Sequence, residues 1–270
     1  MRWQRYSGWK GKTMRGNPIR EAIDNGKVQY GTWINLVRNP AVLPLLKAAG
    51  LDYVRVDMEH SSPSIETVAN MALLARAIDF PIVVRPPEAS REWITRLLDA
   101  GVLNLHCPQV DTAEQAAEIV AASRYTPMGS RGMAGGSAAT DYEMGGSQME
   151  RMQFANQQVC ITVMLETGAA FDHLDAIAAM PGIDALTIGP TDLAQDLGVF
   201  GTPDMERVLD ERRSRIVEAA KIHGKAVAML VGSARQARQW RDAGVLLLGY
   251  SSEAGVLQDG YRRFIAEMQD

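Results

Sequence analysis

Short apolar strands alternate with amphipathic helices along almost the whole chain. Each predicted strand is a run rich in Val, Ile and Leu, and the segment after it has apolar residues at helical spacing. Strands of this kind are typical of a parallel sheet covered by helices. They are predicted over residues 28–36, 53–58, 81–85, 103–107, 160–165, 185–188, 226–231 and 245–248.

Eight such repeats in about 250 residues favour a closed (β/α)8 TIM barrel, an α/β fold, over an open doubly wound sheet. No glycine-rich fingerprint follows a predicted strand, which argues against a dinucleotide-binding Rossmann fold. We therefore predict a single barrel domain over residues 17–270 and an N-terminal extension over residues 1–16. The extension is basic and rich in tryptophan, and it lacks the apolar core of a secretory signal.

The connection over residues 124–158 interrupts the alternation, because it is long and rich in methionine and glycine. Long connections inside compact domains are commonly functional lids. This one follows the fourth strand, so we expect it on the face that carries the C-terminal ends of the strands, where it would cover a site. A subunit contact and a merely variable insertion are the alternatives.

Composition restricts the partners of the chain. Its 270 residues carry a net charge of −4 and no long basic block, so neither nucleic acid nor an anionic membrane is an implied partner. Cys107 and Cys160 lie in apolar strands, which is typical of buried thiols in a reducing compartment. No apolar run reaches the roughly 20 residues of a membrane helix. We predict a cytoplasmic protein.

Titratable side chains appear where the predicted strands end. The second strand leads into Asp57, Glu59 and His60, and the third ends at Arg85. In α/β barrels, the C-terminal ends of the strands carry the catalytic residues. A single histidine there is also typical of a solvated loop, so the recurrence at several strands is what favours a functional site.

Two more acids, Glu166 and Asp192, follow the fifth and sixth strands, which are neighbours in the predicted barrel. Two carboxylates completed by water or substrate oxygens are the arrangement expected for Mg²⁺ or Mn²⁺. The structural alternative is that Asp192 caps the helix after Gly189 and Pro190, while Glu166 pairs with an arginine.

Arg85 precedes Pro86 and Pro87, which stiffen its loop. A planar guanidinium at a strand end suits a carboxylate or an enolate oxygen, and an ion pair with Asp57 or Glu59 is the alternative. No lysine lies at the C-terminal end of a predicted strand, so Schiff-base chemistry has no candidate nucleophile. A metal ion would then have to polarise the carbonyl group.

Several motifs resemble the HpcH/HpaI aldolase family, whose members are divalent-metal-dependent 2-oxo-acid aldolases of the 2,4-dihydroxyhept-2-ene-1,7-dioate and 2-keto-3-deoxy sugar acid type. Their fold is a TIM barrel of the phosphoenolpyruvate/pyruvate-binding type. The resemblance runs from about residue 31 to the C-terminal helix. The motifs are Gly31-Thr32-Trp33, Val56-Asp57-Met58-Glu59-His60, Val84-Arg85-Pro86-Pro87, Leu97-Leu98-Asp99-Ala100-Gly101, Ser123-Arg124-Tyr125, Arg131-Gly132, Leu165-Glu166-Thr167 and Gly189-Pro190-Thr191-Asp192-Leu193.

The resemblance implies catalytic and metal-binding roles for five residues. Glu166 and Asp192 match the two metal ligands. Arg85 matches the arginine that contacts the carbonyl oxygen of the oxo acid and stabilises the enolate. His60 matches the histidine of the acid–base chemistry, with Asp57 as its neighbouring acid.

The resemblance also implies substrate contacts and an assembly. The helix start at Gly189, Pro190 and Thr191 matches the one whose backbone binds the pyruvate carboxylate, in line with the anion preference of helix N-termini. Trp33 matches a pocket-lining tryptophan, and Asp99 matches an acid that reaches a neighbouring subunit's site. The typical assembly is a homo-oligomer, a hexamer built as a dimer of trimers, whose last helix exchanges between subunits.

Three features depart from the family pattern. Met58 stands where glycine is usual, which adds a bulky side chain between Asp57 and His60. Met164 replaces a glutamine two residues before the metal-binding glutamate, a polar group that could tune the metal. The segment over residues 133–158 also differs, near the place where the acceptor aldehyde binds. The pyruvate half of the site keeps the family residues.

The resemblance implies a class II aldolase that cleaves a 4-hydroxy-2-oxo acid into pyruvate (or a close 2-oxo acid) and an aldehyde through a metal-bound enolate. It would use Mg²⁺, Mn²⁺ or Co²⁺ and no organic cofactor. An oxaloacetate-type decarboxylase would use the same enolate site. A citrate-lyase-like CoA-ester lyase is less favoured, because the sequence shows no basic cluster for CoA phosphates. A non-catalytic binding barrel is disfavoured by the presence of both Glu166 and Asp192.

Overall fold

Eight parallel strands close into a barrel in chain order, and the last strand pairs with the first. The computed structural model describes residues 14–142 and 147–269. The strands are β1 (Gln29–Ile34), β2 (Tyr53–Asp57), β3 (Ile82–Arg85), β4 (Asn104–Cys107), β5 (Cys160–Leu165), β6 (Ala185–Ile188), β7 (Ala226–Val231) and β8 (Leu247–Ser252). The predicted (β/α)8 barrel is confirmed.

Helices surround the barrel and connect successive strands. In chain order they are α1 (Pro18–Asp24), α2 (Val42–Ala48), α3 (Ile65–Ala77), α4 (Arg91–Asp99), α5 (Ala113–Ser123), α6 (Gln148–Gln158), α7 (Gly168–Asp172), α8 (Leu174–Ala179), α9 (Pro190–Asp196), α10 (Met205–His223), α11 (Ala234–Asp242) and α12 (Glu253–Gln269). The predicted alternation of strands and helices is confirmed, and β8 extends further toward its C-terminal end than the sequence predicts.

Polar side chains fix where two of the helices begin. Ser64 caps α3 by accepting the backbone N–H of Thr67 at 3.1 Å. Thr112 and Gln115 form a capping box at the start of α5, in which each side chain accepts an N–H from the other residue's backbone.

Two side chains of β2 point into the barrel interior and lie over glycines of β1 and β8, which follow next on one side of β2. A Cβ on Gly31 would lie 2.6 Å from the ring of Tyr53, and a Cβ on Gly249 would lie 2.5 Å from Nη1 of Arg55. Gly31 is needed for space, because three atoms of the rigid Tyr53 ring lie too close for a Cβ, whereas at Gly249 only the end of the Arg55 side chain lies that close. The barrel interior is therefore filled partly by a phenol and a guanidinium.

The long connection over residues 124–158 lies at the face formed by the N-terminal ends of the strands. Arg124 donates to the carbonyl oxygens of Val159 at 2.8 Å and Gly182 at 3.0 Å, and to Asp184 Oδ2 at 2.7 Å. All three acceptors lie just before β5 or β6. The expectation that this connection covers the chain's own site is wrong, because α5 has already returned the chain from the C-terminal end of β4 to the opposite face.

The start of the described chain closes the same face. The side chain of Asn17 donates to Asn104 Oδ1 and to the carbonyl oxygen of Gln158, each at 2.7 Å. The backbone N–H of Arg15 donates to Asp141 Oδ2 at 2.8 Å. Residues 1–13 of the predicted extension lie outside the described residues, and the division at residue 16 stays a prediction.

Among the described residues, none of the helices has the length and apolar character needed to span a membrane.

Candidate active site

Arg85 joins the acids that follow β2. Asp57 and Arg85 are directly paired residues of neighbouring strands. Nε and Nη2 of Arg85 donate to the two oxygens of Asp57 at 2.9 and 2.8 Å, and Nη1 lies 2.9 Å from Glu59 Oε2. The ion pair that the sequence left as an alternative for Arg85 is therefore formed, and it involves both acids.

This ion pair controls the charge of Asp57, which is almost fully buried. Burial raises the pKa of Asp57, but the hydrogen bonds and positive charge of Arg85 outweigh it, so the pKa is held below its usual value. Two backbone N–H groups, those of Glu59 and His60, add to this stabilisation at 3.0 and 3.4 Å. Asp57 is therefore a charged anchor for Arg85.

The His60 side chain is 59% exposed and stands at the open end of the barrel. Its Nε2 lies 3.7 Å from Glu59 Oε2, so Glu59 is the acid next to the ring. The resemblance gave that place to Asp57, but both oxygens of Asp57 are held by Arg85. Met58 does not stand between the two residues either, because its side chain is buried in the hydrophobic core.

Glu166 and Asp192 come together as the sequence predicts. The backbone N–H of Gln109 donates to Glu166 Oε1 at 2.8 Å, and the Asp192 carboxylate is near enough to act on the charge of Glu166. Asp192 lies in the first turn of α9, whose N-cap is Gly189. Neither structural alternative is formed among the described residues, since Asp192 is not the cap and Glu166 has no arginine partner.

The environment of Glu166 disfavours its negative charge. Burial is the largest cause, and the charges of Glu59 and Asp192 add to it, against the opposing bond from the Gln109 backbone. Together they raise the pKa of Glu166 to about 7. Burial also raises the pKa of Glu59, and Asp57 and Asp192 add to that shift against the charges of Arg85 and His60. Glu166 thus faces Glu59 and Asp192 with no cationic side-chain partner among the described residues.

Gln109 is a site residue that the sequence analysis missed. Besides its backbone bond to Glu166, its side chain donates to Glu59 Oε1 at 3.3 Å. Its φ of 55° lies in the left-handed region, which is uncommon for a residue other than glycine. The signal was available, because Gln109 follows β4 at the same barrel end as the residues that were named.

Trp33 lies against Arg85. The guanidinium carbon of Arg85 is 4.8 Å from the centre of the Trp33 ring, and His106 meets the same ring edge-on at 5.6 Å. A cation over an aromatic face is attracted to it, so Trp33 helps to orient Arg85. β1 thus positions Trp33 against Arg85, and its role in lining a substrate pocket stays a prediction.

The helix start at residues 189–192 has fewer free donors than the sequence suggests. The N–H of Gly189 donates to the carbonyl oxygen of Leu165 at 3.2 Å, and Pro190 has no N–H. The N–H groups of Thr191 and Asp192 lie in the first helical turn, where no helical acceptor precedes them. These two groups are the ones available to an anion.

Asp99 lies apart from all these residues. It is the last residue of α4, at the face formed by the N-terminal ends of the strands, and it accepts a hydrogen bond from Nη2 of Arg131 at 2.7 Å. Within one chain, Asp99 therefore has no access to the site at the opposite end of the barrel.

Comparison with known proteins identifies the family of the chain. The family model for HpcH/HpaI aldolase/citrate lyase matches residues 29–258. The chain belongs to this family. It is accordingly a carbon–carbon lyase with an aldolase-type site.

Relatives cover most of the chain. It is 35% identical to a 2-keto-3-deoxy-L-rhamnonate aldolase of Klebsiella pneumoniae, over 77% of this chain and 78% of that protein. It is 33% identical to a hydroxypyruvate/pyruvate aldolase of Deinococcus radiodurans, over 94% of this chain and 90% of that protein. Among solved structures, an HpcH/HpaI aldolase from Desulfitobacterium hafniense superposes with a TM-score of 0.89 at 28% identity, covering 95% of this chain and 98% of that one.

The residues present fit the divalent ion implied for this family. Glu166 and Asp192 offer hard carboxylate oxygens from two neighbouring elements, and Glu166 has no cationic side chain as a partner among the described residues. Within residues 14–142 and 147–269, no group of three or more His, Cys, Asp or Glu residues is arranged around a common ion position. A two-carboxylate site completed by water or substrate oxygens is typical of Mg²⁺.

Proposed function

We propose that the chain is a class II pyruvate aldolase, which cleaves a 4-hydroxy-2-oxo acid into pyruvate, or a close 2-oxo acid, and an aldehyde. The observation that carries the proposal is the pairing of Glu166 with Asp192 next to Glu59, which connects them to Arg85. Relatives named as aldolases of keto-deoxy sugar acids and of pyruvate support the same substrate class.

Glu166 and Asp192 are the residues that would hold the divalent ion, with Mg²⁺, Mn²⁺ and Co²⁺ as the candidates. When bound, such an ion supplies Lewis-acid polarisation of a carbonyl oxygen. The Gln109 backbone bond to Glu166 Oε1 fixes the direction of that carboxylate.

Arg85 offsets the negative charge that develops on the C2 oxygen of the substrate. A guanidinium has five N–H donors. Asp57 accepts hydrogen bonds from two of them, and Nη1 forms an ion pair with Glu59 at 2.9 Å, so the remaining donors can bind the substrate. Because Asp57 holds Arg85 in a bidentate pair, the remaining donors are oriented before substrate arrives, which is the condition for efficient charge stabilisation.

His60 receives the proton of the C4 hydroxyl group as the C3–C4 bond breaks. Its exposed ring stands at the open end of the barrel, with Glu59 Oε2 3.7 Å from its Nε2. The N–H groups of Thr191 and Asp192 bind the carboxylate of the 2-oxo acid at the start of α9.

The decisive assay is pyruvate release from 2-keto-3-deoxy sugar acids and from 4-hydroxy-2-oxo acids. It is run with EDTA and then with Mg²⁺, Mn²⁺ or Co²⁺ restored. We expect release only with a metal, and loss of release in the Glu166→Gln variant. Glu218→Gln, an exposed position on α10, is the matched control and should keep full activity.

Oxaloacetate tests the related decarboxylase function in the same experiment. If oxaloacetate loses CO₂ while no hydroxy-oxo acid releases pyruvate, the enolate site serves decarboxylation and the aldolase proposal fails. Metal-independent release that survives Glu166→Gln would also contradict it.

We also propose that the active protein is a homo-oligomer, a trimer or hexamer. Six large apolar side chains of α12 are exposed in the single chain, namely Val256, Leu257, Tyr261, Phe264, Ile265 and Met268. An apolar face of this size commonly marks a protein contact. Light scattering on the purified protein should give a mass of three or six chains, and Phe264→Glu should lower it, whereas a monomeric wild type would overturn the proposal.

A further inference from the structure

Arg55 is a buried cation in the barrel interior, below the layer of Asp57 and Arg85. Its side chain points inward from β2 and ends against Gly249 of β8, the strand on the far side of β1. The rings of Trp33 and Tyr53 flank it, with centres 5.6 and 5.2 Å from the guanidinium carbon.

No acceptor in residues 14–142 and 147–269 forms an ion pair with Arg55, and its Nε is buried without a hydrogen-bond partner. The residue is only 3% exposed. Buried Arg124, by contrast, donates to three carbonyl oxygens and to Asp184. A buried charge without an acceptor is costly, because the protein interior does not replace the hydration that the charge has lost.

Other polar groups around Arg55 lack partners too. Both ring nitrogens of His106 and the hydroxyl group of Tyr53 are buried and have no hydrogen-bond partner among the described residues. The positive charge of Arg55 acts on both side chains, and Trp33 contacts both Arg55 and His106. One cation and two neutral polar side chains thus share an unsatisfied region inside the barrel.

We propose that this region binds a small monovalent anion of halide size, held by the guanidinium of Arg55 and bordered by the Tyr53 hydroxyl and the His106 ring. An anion accepts the unpaired Nε–H of Arg55 and also compensates the charge. A water molecule would satisfy donors but leave the charge uncompensated, and aromatic faces offer only weak compensation. The site lies below the candidate active site, because Arg55 is level with Trp33 in the sheet, whereas Asp57 and Arg85 pair two residues further toward the C-terminal end of β2.

Bromide is the probe, because its anomalous scattering identifies it in a crystal. Wild-type crystals soaked in sodium bromide should show an anomalous peak beside Arg55, and crystals of Arg55→Met should not. A wild-type map with only water beside Arg55, or with bromide only at the protein surface, would overturn the proposal.

Thermal unfolding tests the same site in solution. Exchange of sodium gluconate for sodium bromide at constant ionic strength should raise the wild-type Tm by roughly 3 °C when bromide reaches about ten times its Kd. Arg207→Met, which removes an exposed arginine of α10, should keep that rise. Arg55→Met should lose it.

His106→Leu keeps the buried cation and removes the polar border, so it should show a smaller rise than the wild type. This variant also covers the case in which Arg55→Met fails to fold. Equal Tm values for the wild type in gluconate and in bromide would contradict the proposal whatever the variants do.

Discussion

Gly189 lies directly against the carboxylate of Glu166. A Cβ at position 189 would come within 2.7 Å of Glu166 Cγ and 2.8 Å of its Cδ, and closer still to Oε2. The backbone of the α9 start and the side chain at the end of β5 therefore share one space, which only glycine leaves open.

Gly189→Ala should consequently displace the Glu166 carboxylate without unfolding the barrel. A displacement of about 1 Å at a reacting centre can cost on the order of 100-fold in rate, and we expect a loss of that size in kcat/KM for pyruvate release. Gly132→Ala, where a Cβ meets nothing within 4 Å, is the control. Equal rates for both variants would show that Glu166 tolerates the displacement.

Arg85→Lys should lower kcat by about 100- to 1,000-fold, the usual effect of losing one oriented donor to a developing oxyanion. Lysine keeps the positive charge but loses the fork that binds both oxygens of Asp57. Single-turnover rates for the variant and for Arg96→Lys, an exposed position on α4, measure the difference. An Arg85→Lys enzyme with normal kcat would remove Arg85 from the mechanism.

Arg85→Ala has a second consequence, because it leaves Asp57 and Glu59 without their cation. Breaking a buried ion pair commonly lowers the free energy of unfolding by about 3–5 kcal/mol. Urea unfolding should therefore separate Arg85→Ala, which loses stability and turnover, from the lysine variant, which loses mainly turnover.

Position 109 should accept glycine and reject a β-branched residue. Because Gln109 has a φ of 55°, valine there would cost about 1–2 kcal/mol of stability and would move the N–H that binds Glu166. Gln109→Gly keeps that N–H and should retain most activity. Comparing the denaturation midpoints and the Mn²⁺ affinities of the two variants checks both effects, and a fully stable Gln109→Val would contradict them.

His106 should make the protein less stable as the pH falls. Burial, together with the charges of Arg55 and Arg85, holds the pKa of His106 well below its usual value of 6.5. The unfolded chain therefore binds a proton below pH 6.5 that the folded chain does not, so the free energy of unfolding falls by up to ~1.4 kcal/mol per pH unit below that value.

Urea titrations between pH 4.5 and 7, in gluconate so that no halide is present, measure this slope. His106→Gln, which does not titrate, should flatten it, and His173→Gln at an exposed position should not. A slope that His106→Gln leaves unchanged would mean that another group titrates.

Local patterns were sufficient to predict the barrel, because β-branched strands and capped helices are encoded within a few residues, as at Ser64 and Thr112. They did not reveal the interior. A strand buried on both faces loses the alternation of polar and apolar residues that marks which side chains point inward. The sequence therefore predicts that Arg55 and His106 lie in strands, but not that their side chains meet inside the barrel. Their environment depends on Trp33 and Gly249, which are distant in sequence.

The sequence predicts which residues lie at the candidate site better than it predicts which of them contact one another. Strand ends identified Arg85, Glu166 and Asp192, because chain order fixes which strands are neighbours in a barrel. Asp57 pairs with Arg85, whereas Glu59 is the acid next to His60. This difference depends on the directions of the side chains, which no local pattern specifies. The face of the long connection was misjudged for a simpler reason, since α5 reverses the direction of the chain before the connection begins.

Because of the Arg124 contacts, changes in the sequence should have different effects at the two ends of this barrel. They fasten the long connection to the backbone before β5 and β6, a full strand length away from Glu166 and Asp192. Changes of length in that connection should therefore alter heat resistance and assembly while leaving the chemistry of the same chain intact. For protein engineering, this end is a place where a peptide can be inserted or new chain termini opened, and the opposite end is where a change of substrate must be sought.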